Sequence, residues 1–202
     1  GKAGPLERQH AERYQSARLL EADQPFSQEH WDALRGLTDP DAALMEVTAA
    51  LRPPLARMTA RSPRDYGLKG QPEGASKLAF GRVFEYARRM LGLADVRYHP
   101  HPDGPKGIRF ANLQHEGAWM PTLVVGPDYL SGHTEIELAF RITHELTFLR
   151  PEHVLRVLTP ELQQQAVLVL TAVAMSDPEQ PIAGDQEQAI KTQLAHLSKY
   201  ME

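Results

Sequence analysis

His144-Glu145-Leu146-Thr147-Phe148 is the stretch of this 202-residue chain whose residue types and spacing come nearest to chemistry. Metal-assisted hydrolysis run from a helix takes imidazoles at i and i+4 to hold zinc and a glutamate at i+1 to draw a proton from the bound water. The histidine and the glutamate are in place, but position i+4 is Phe148, which has no lone pair to give. At about 100° per residue, Arg141, His144, Glu145 and Phe148 share one helical face. Arg141 precedes Glu145 by one turn and can pair with its carboxylate, keeping it ionised but occupied. The reading that follows is a cleft lined by these four residues, with no catalytic residue, no metal and no cofactor; the resemblance described below makes it a vestigial one. The alternative is zinc held by a rearranged set, His144 and His153 joined by His115 or His133. His153 follows Pro151, so the helix does not dictate its direction.

Other constellations carry less. His99 and His101 alternate along Tyr98-His99-Pro100-His101-Pro102, a weak chelate with no third ligand suggested nearby. Glu135 and Glu137 sit in a first helical turn, where carboxylates favour the helix dipole. The order G-x-x-x-x-G-K-[ST] of a phosphate-binding loop is missing, and so is the G-x-S-x-G of a nucleophile elbow. The absence of cysteine removes disulfides, thiolate zinc sites, iron–sulfur clusters and cysteine nucleophiles together. No run approaches the ~20 apolar residues of a membrane helix.

The elements that must position these side chains follow from caps and periodicity. Thr134 and Glu137 form a T-x-x-E capping box for a helix to about Leu149, and Pro151 ends it. Its wide apolar arc, Leu138, Ile142, Leu146 and Leu149 with Ile136 and Phe140 beside it, predicts a central, buried helix. Ahead of it, Ser76 caps a helix through Phe80, Val83, Phe84, Ala87 and Leu91, which stops at Gly92 where a left-handed residue is needed. Three short strands are predicted between the two, over 95–99, 108–112 and 122–125. Nearer the start, Ser27 caps a helix to Gly36 that carries Trp31 and Leu34, and Asp39-Pro40 opens another through Leu44, Val47 and Leu51 to a stop at Pro53-Pro54. Residues 61–75 have the densest loop signals. Thr159-Pro160-Glu161 begins a helix through Ala166, Val169, Leu170 and Val173, and Asp185 begins a last one with Ile190, Leu194, Leu197 and Met201. With 42% apolar and 24% charged residues the composition is ordinary for a globular chain. The fold class is α+β, mostly helical, with a small mixed sheet packed on the central helix and an N-terminal helical extension. Residues 1–60 form the helical N-terminal segment, a thin docking helix over 5–22 or the end of a helical-repeat region included, and 76–202 form the α+β domain.

Taken in order, these elements resemble the zincin metallopeptidases. Leu91-Gly92-Leu93 ends a helix; strands carry Val96 and Tyr98, then Phe110-Ala111-Asn112, then Leu123-Val124-Val125; the turn Asp128-Tyr129-Leu130 follows; and Glu137-Leu138-Ala139-Phe140 leads into His144-Glu145-Leu146. The nearest branch looks like that of the CAAX-prenyl protease and the heat-shock membrane protease, in minimal soluble form, over residues 76–155. The resemblance implies His144 as the first zinc ligand and Glu145 as the base. It also requires a histidine at position 148 and an acidic ligand on a later helix. Phe148 departs from it, and neither Glu152 nor Glu161 stands in the downstream E-x-x-x-[DN] context. What the resemblance implies is a degenerate zincin-like domain, a non-catalytic interaction or scaffold module of a larger bacterial protein. The alternative it leaves is a zinc metallopeptidase with a rearranged ligand set.

Charge adds a third expectation. Residues 1–100 hold 15 Lys and Arg against 13 Asp and Glu, whereas 101–202 hold 7 against 13, and ten basic residues against four acidic ones lie within 52–97. A basic surface containing Arg57, Arg61, Arg64, Arg88 and Arg89 could serve as an adaptor for an acidic partner. The plainer account is that these arginines answer acids of the same fold. No aromatic-interleaved RNA motif or recognition-helix pattern accompanies them, so the expected partner is a protein rather than nucleic acid. No membrane insertion is expected, and the cytoplasm is the default compartment. The opening Gly1-Lys2-Ala3-Gly4 reads as a fragment boundary.

Overall fold

The structure, a computed structural model, describes residues 24–35, 39–69, 78–115, 117–177, 179, 184 and 186–200. The expected helix over 5–22, the Ser76 cap, Asp185 and Met201 lie outside these residues.

Helix α1 (Gln28–Arg35) starts where the Ser27 hydroxyl accepts the His30 N–H, as its N-cap role requires. Helix α2 (Asp39–Thr59) does not stop at Pro53-Pro54. A proline inside a helix removes a donor and crowds the carbonyl one turn back, at roughly 3 kcal/mol or more. Leu51, Leu55 and Ala56 flank the pair and are buried, so ending the helix there would pull two core residues out of place. Packing overrides the local stop signal.

Helix α3 (Ala79–Met90) buries Phe80, Val83, Phe84 and Ala87, and Gly92 follows its end at φ 68°, in the left-handed region that a side chain resists. Three strands then form one sheet in the order β1-β3-β2: β1 (Arg97–Pro100), β2 (Ile108–His115) and β3 (Ala118–Val125). β1 runs parallel to β3 with Arg97 opposite Thr122, and β2 runs antiparallel with Ile108 opposite Val125. β3 begins four residues before the expected Thr122 and carries Pro121 within it. Its partner Asn112 turns both backbone groups away from β3, donating its N–H to the Tyr66 hydroxyl and accepting the Arg61 N–H. The donor that Pro121 lacks would therefore point towards β1, which begins only at Arg97 opposite the next residue, and no ladder bond is lost.

One face of the sheet, Tyr98, Leu123 and Val125, packs on α3 and on helix α4 (Glu135–Thr147) through Leu138, Ile142 and Leu146. The other face, Ala111, Leu113 and Val124, is covered by Leu68 from the 61–69 segment. The Thr134–Glu137 capping box of α4 forms as its spacing predicts. A short helix α5 (Leu155–Leu158), which the sequence pattern did not show, precedes α6 (Leu162–Ser176) and α7 (Glu187–Leu197). α6 starts with Glu161 at its N-cap, two residues later than the Thr159 expectation; Thr159 closes α5 and its carbonyl accepts the Gln165 side-chain amide at 2.8 Å. Leu51 and Leu55 of α2 join Leu155, Leu158, Leu168 and Leu197 in a second core. The architecture is α+β, mostly helical, with a small mixed sheet. Among the described residues no helix is long and apolar enough to cross a membrane.

Candidate functional site

Helix α4, expected as a central helix with a wide apolar arc, is buried along one stripe of that arc. The core takes Leu138, Ile142 and Leu146, spaced four apart, and His144 lies about 200° around the axis from Ile142. Phe140 is consequently 69% exposed and the His144 side chain 53%. Phe140, His144 and Phe148 form an outer row: the His144 ring lies 6.5 Å from Phe140 at 24° and 5.1 Å from Phe148, edge-on at 86°. The Arg156 guanidinium covers the Phe148 ring at 4.8 Å. Where a second imidazole would project there is an aromatic ring held by an imidazole on one side and a cation on the other. Glu145 takes its contact from His144, Oε1 to Nδ1 at 3.3 Å, rather than from Arg141, which is exposed.

Among the described residues His133 does not join His144. His133 precedes the start of α4, eleven residues before His144, or about 16 Å along a helix. It is engaged there, Nε2 lying 2.9 Å from the Asp128 carbonyl oxygen and the ring stacked 4.9 Å from Tyr129. The His115 side chain lies outside the described residues. Glu152 is bound to Arg150 at 2.6 Å, and Glu161 is exposed at the head of α6. His99 is buried in β1, and His101 packs its ring where a Cβ on Gly104 would collide with it. Among the described residues no three His, Asp or Glu side chains gather as a metal would need.

What the fold does build is a groove of about 620 Å³ between the first half of α2, the 148–156 turn and α6. Phe148, Glu152, His153 and Arg156 line it together with Leu44 and Thr48 of α2 and Leu162, Ala166 and Leu170 of α6. Of the four residues expected in a vestigial cleft, Phe148 alone lines it, and Arg141, His144 and Glu145 lie outside its lining. The rim is apolar and open: Leu44 is 50% exposed, Leu162 80% and Leu170 40%. Leu162 was not singled out by its sequence pattern, and Leu170 only as part of its helix's apolar stripe, although a signal existed. All fifteen residues of α6 are uncharged, and an uncharged helix with part of its circumference in water leaves apolar side chains unpartnered.

The expected basic surface is largely answered from within. Arg88 grips Glu85 with two bonds, at 3.0 and 2.9 Å, Arg89 adds a third at 2.9 Å, and Arg57 reaches the Tyr200 carbonyl at 3.3 Å. The Arg88 hydrogen bonds, and then those of Arg89, hold the Glu85 carboxyl below its ordinary value against the opposing effect of burial. Arg82, from the same stretch, pairs with Glu135 at 2.7 Å. Among the described residues Arg61 and Arg64 make no ion-pair contact.

Comparison with family models, with characterised proteins and with solved structures gave no match.

Proposed function

We propose that this chain is a non-catalytic interaction module that seats an apolar segment of a protein partner, an amphipathic helix by its dimensions, in the groove between α2, the 148–156 turn and α6. The observation that supports this reading is the groove itself. It is open, apolar and flanked by exposed leucines, and Phe148 forms its wall at the position where a peptidase would need its second zinc ligand. α6 is about 22 Å long at 1.5 Å per residue, room for a partner helix of about four turns. On this reading the zincin resemblance describes the frame, and the catalytic face has become an aromatic row. The same reading assigns no step to Glu145, whose carboxylate leans on His144 with no metal-bound water to activate.

Two measurements test it. Elemental mass spectrometry of the chelator-free protein, incubated with excess zinc and desalted, should find far less than one zinc per chain. Stoichiometric zinc that vanished in His144→Ala would replace the interaction module with the rearranged peptidase. In the second, a photo-crosslinking residue at position 162 should capture one discrete partner, and Phe148→Glu in the same groove should abolish the adduct while circular dichroism is unchanged.

A further inference from the structure

Helix α6 buries Leu168 and Thr171. At about 100° per residue, Leu162, Ala166, Val169 and Val173 fall within about 60° of one another on the side away from those two. Leu162 is 80% exposed, Val173 39% and Leu170, beside them, 40%; Val169 is half-buried against the second core. The side of a helix that faces water is ordinarily polar, and this one is apolar along its length. The spacing of the four, 4-3-4, is that of the seam along which paired helices interdigitate. Leu162, Ala166 and Val169 also line the groove, so a helix laid on the seam would lie in it.

The positions flanking such a seam carry the charges that choose a partner and its direction. Here they are Gln163, Gln165, Leu170 and Ala172, and no charge occurs anywhere in the fifteen residues. The acids at the caps, Glu161 and Asp177, lie outside the seam. A partner helix with charged flanks would lose water from them and find nothing to answer them. α6 meets α6 along the seam with no like charge opposed. The spacing is self-complementary as well: in an antiparallel pair about a two-fold axis, Leu162 faces the partner's Val173 and Ala166 faces the partner's Val169, and each contact is made twice. Antiparallel pairing also sets the two helix dipoles head to tail. At about 22 Å, α6 has the four-turn length that the groove accepts.

We propose that the occupant of the groove is helix α6 of a second copy of this chain, paired antiparallel across a two-fold axis. The proposal rests on the groove being a docking surface and names what docks there.

Sedimentation velocity of the full chain from about 5 to about 300 µM, where small interfaces associate, should show the mass rising from that of one chain towards that of two. Leu162→Lys and Val173→Glu, both at exposed positions, should each weaken association by about tenfold or more with circular dichroism unchanged. The double variant should regain it, because each introduced cation then faces the other copy's introduced carboxylate. The chain has no cysteine, so introduced thiols report on the pairing alone. Leu162→Cys mixed with Val173→Cys should form an interchain disulfide on mild oxidation; Leu162→Cys alone should not, because in an antiparallel pair its two copies stand about 16 Å apart along the seam. A monomer at every concentration, an undiminished dimer in Leu162→Lys, or linking by Leu162→Cys alone and not by the mixture would each overturn the proposal. A monomeric chain that crosslinks a different protein at position 162 refutes the second copy and keeps the docking reading, whereas a monomeric chain that gives no adduct removes both.

Discussion

Phe148→Ala is expected to cost about 2 kcal/mol, a figure assembled from its surroundings. Burying a whole phenylalanine side chain is worth about 1.5–3 kcal/mol, and Phe148 is partly buried against an open groove, so its share is about 1 kcal/mol. Truncation leaves no closed cavity, because solvent already reaches the groove, and the cavity penalty that raises core substitutions to about 3–5 kcal/mol does not arise. The edge-on contact with His144 and the Arg156 cation over the ring add about 1 kcal/mol between them at this exposure. Leu146, two residues earlier and fully buried in the core, supplies the reference: Leu146→Ala is expected to cost about 3–4 kcal/mol. Urea unfolding followed by tryptophan fluorescence, analysed at a common slope, measures both. If Phe148→Ala cost as much as Leu146→Ala, the groove would be filled core and the docking reading would fail. A cost below about 0.5 kcal/mol would mean that the ring contacts hold nothing in place.

Asn112→Ala is expected to cost about 2–4 kcal/mol by the same assay, because its buried side chain donates to the Ala56 carbonyl and the Thr59 hydroxyl, at 3.0 and 2.8 Å, and accepts the Trp119 indole N–H, leaving three partners to be re-satisfied. A cost under 1 kcal/mol would show that water replaces all three. The Glu85 carboxyl titrates below its ordinary 4.5, so its contribution is present above that value and disappears as pH falls through the lower folded value. Wild type should therefore lose more stability than Glu85→Gln between about pH 5 and pH 3, and superimposable acid limbs for the two proteins would contradict the Arg88–Glu85–Arg89 account.

Much of the frame was legible because it is set by local chemistry. The Thr134–Glu137 box, the Ser27 cap and the glycine after α3 act within one turn of themselves, and each formed as its spacing required. The failures all lie where tertiary packing decides. Pro53-Pro54 reads as a stop, yet Leu55 and Ala56 hold the helix on course because the core wants them. Pro121 shortened the expected third strand, since nothing local reveals that its missing donor faces the open end of β1. Periodicity gave α4 a wide apolar arc but could not say which part of it would meet the sheet. The sheet takes Leu138, Ile142 and Leu146, and Phe140 is left in water. The candidate site suffers the same limit: the Phe148 departure was visible, whereas the groove needs α2 and α6, more than a hundred residues apart, side by side.

One turn walls two cavities. Phe148, Glu152, His153 and Arg156 line the groove, while Arg150 and Pro151 line the pocket that holds Arg52. The alternation is held by the Arg150–Glu152 ion pair, whose side chains are 11% and 9% exposed, and by the Arg150 bond to the Leu91 carbonyl. A partly buried pair of this kind is expensive to break from one side, because the surviving charge is stranded. Arg150→Ala would therefore disturb groove and pocket together and would discriminate between no two accounts of either. The informative substitutions are those that touch a single site. Leu162 lines the groove with most of its side chain in water. Loss of partner capture there, with the fold intact, reports on the groove alone.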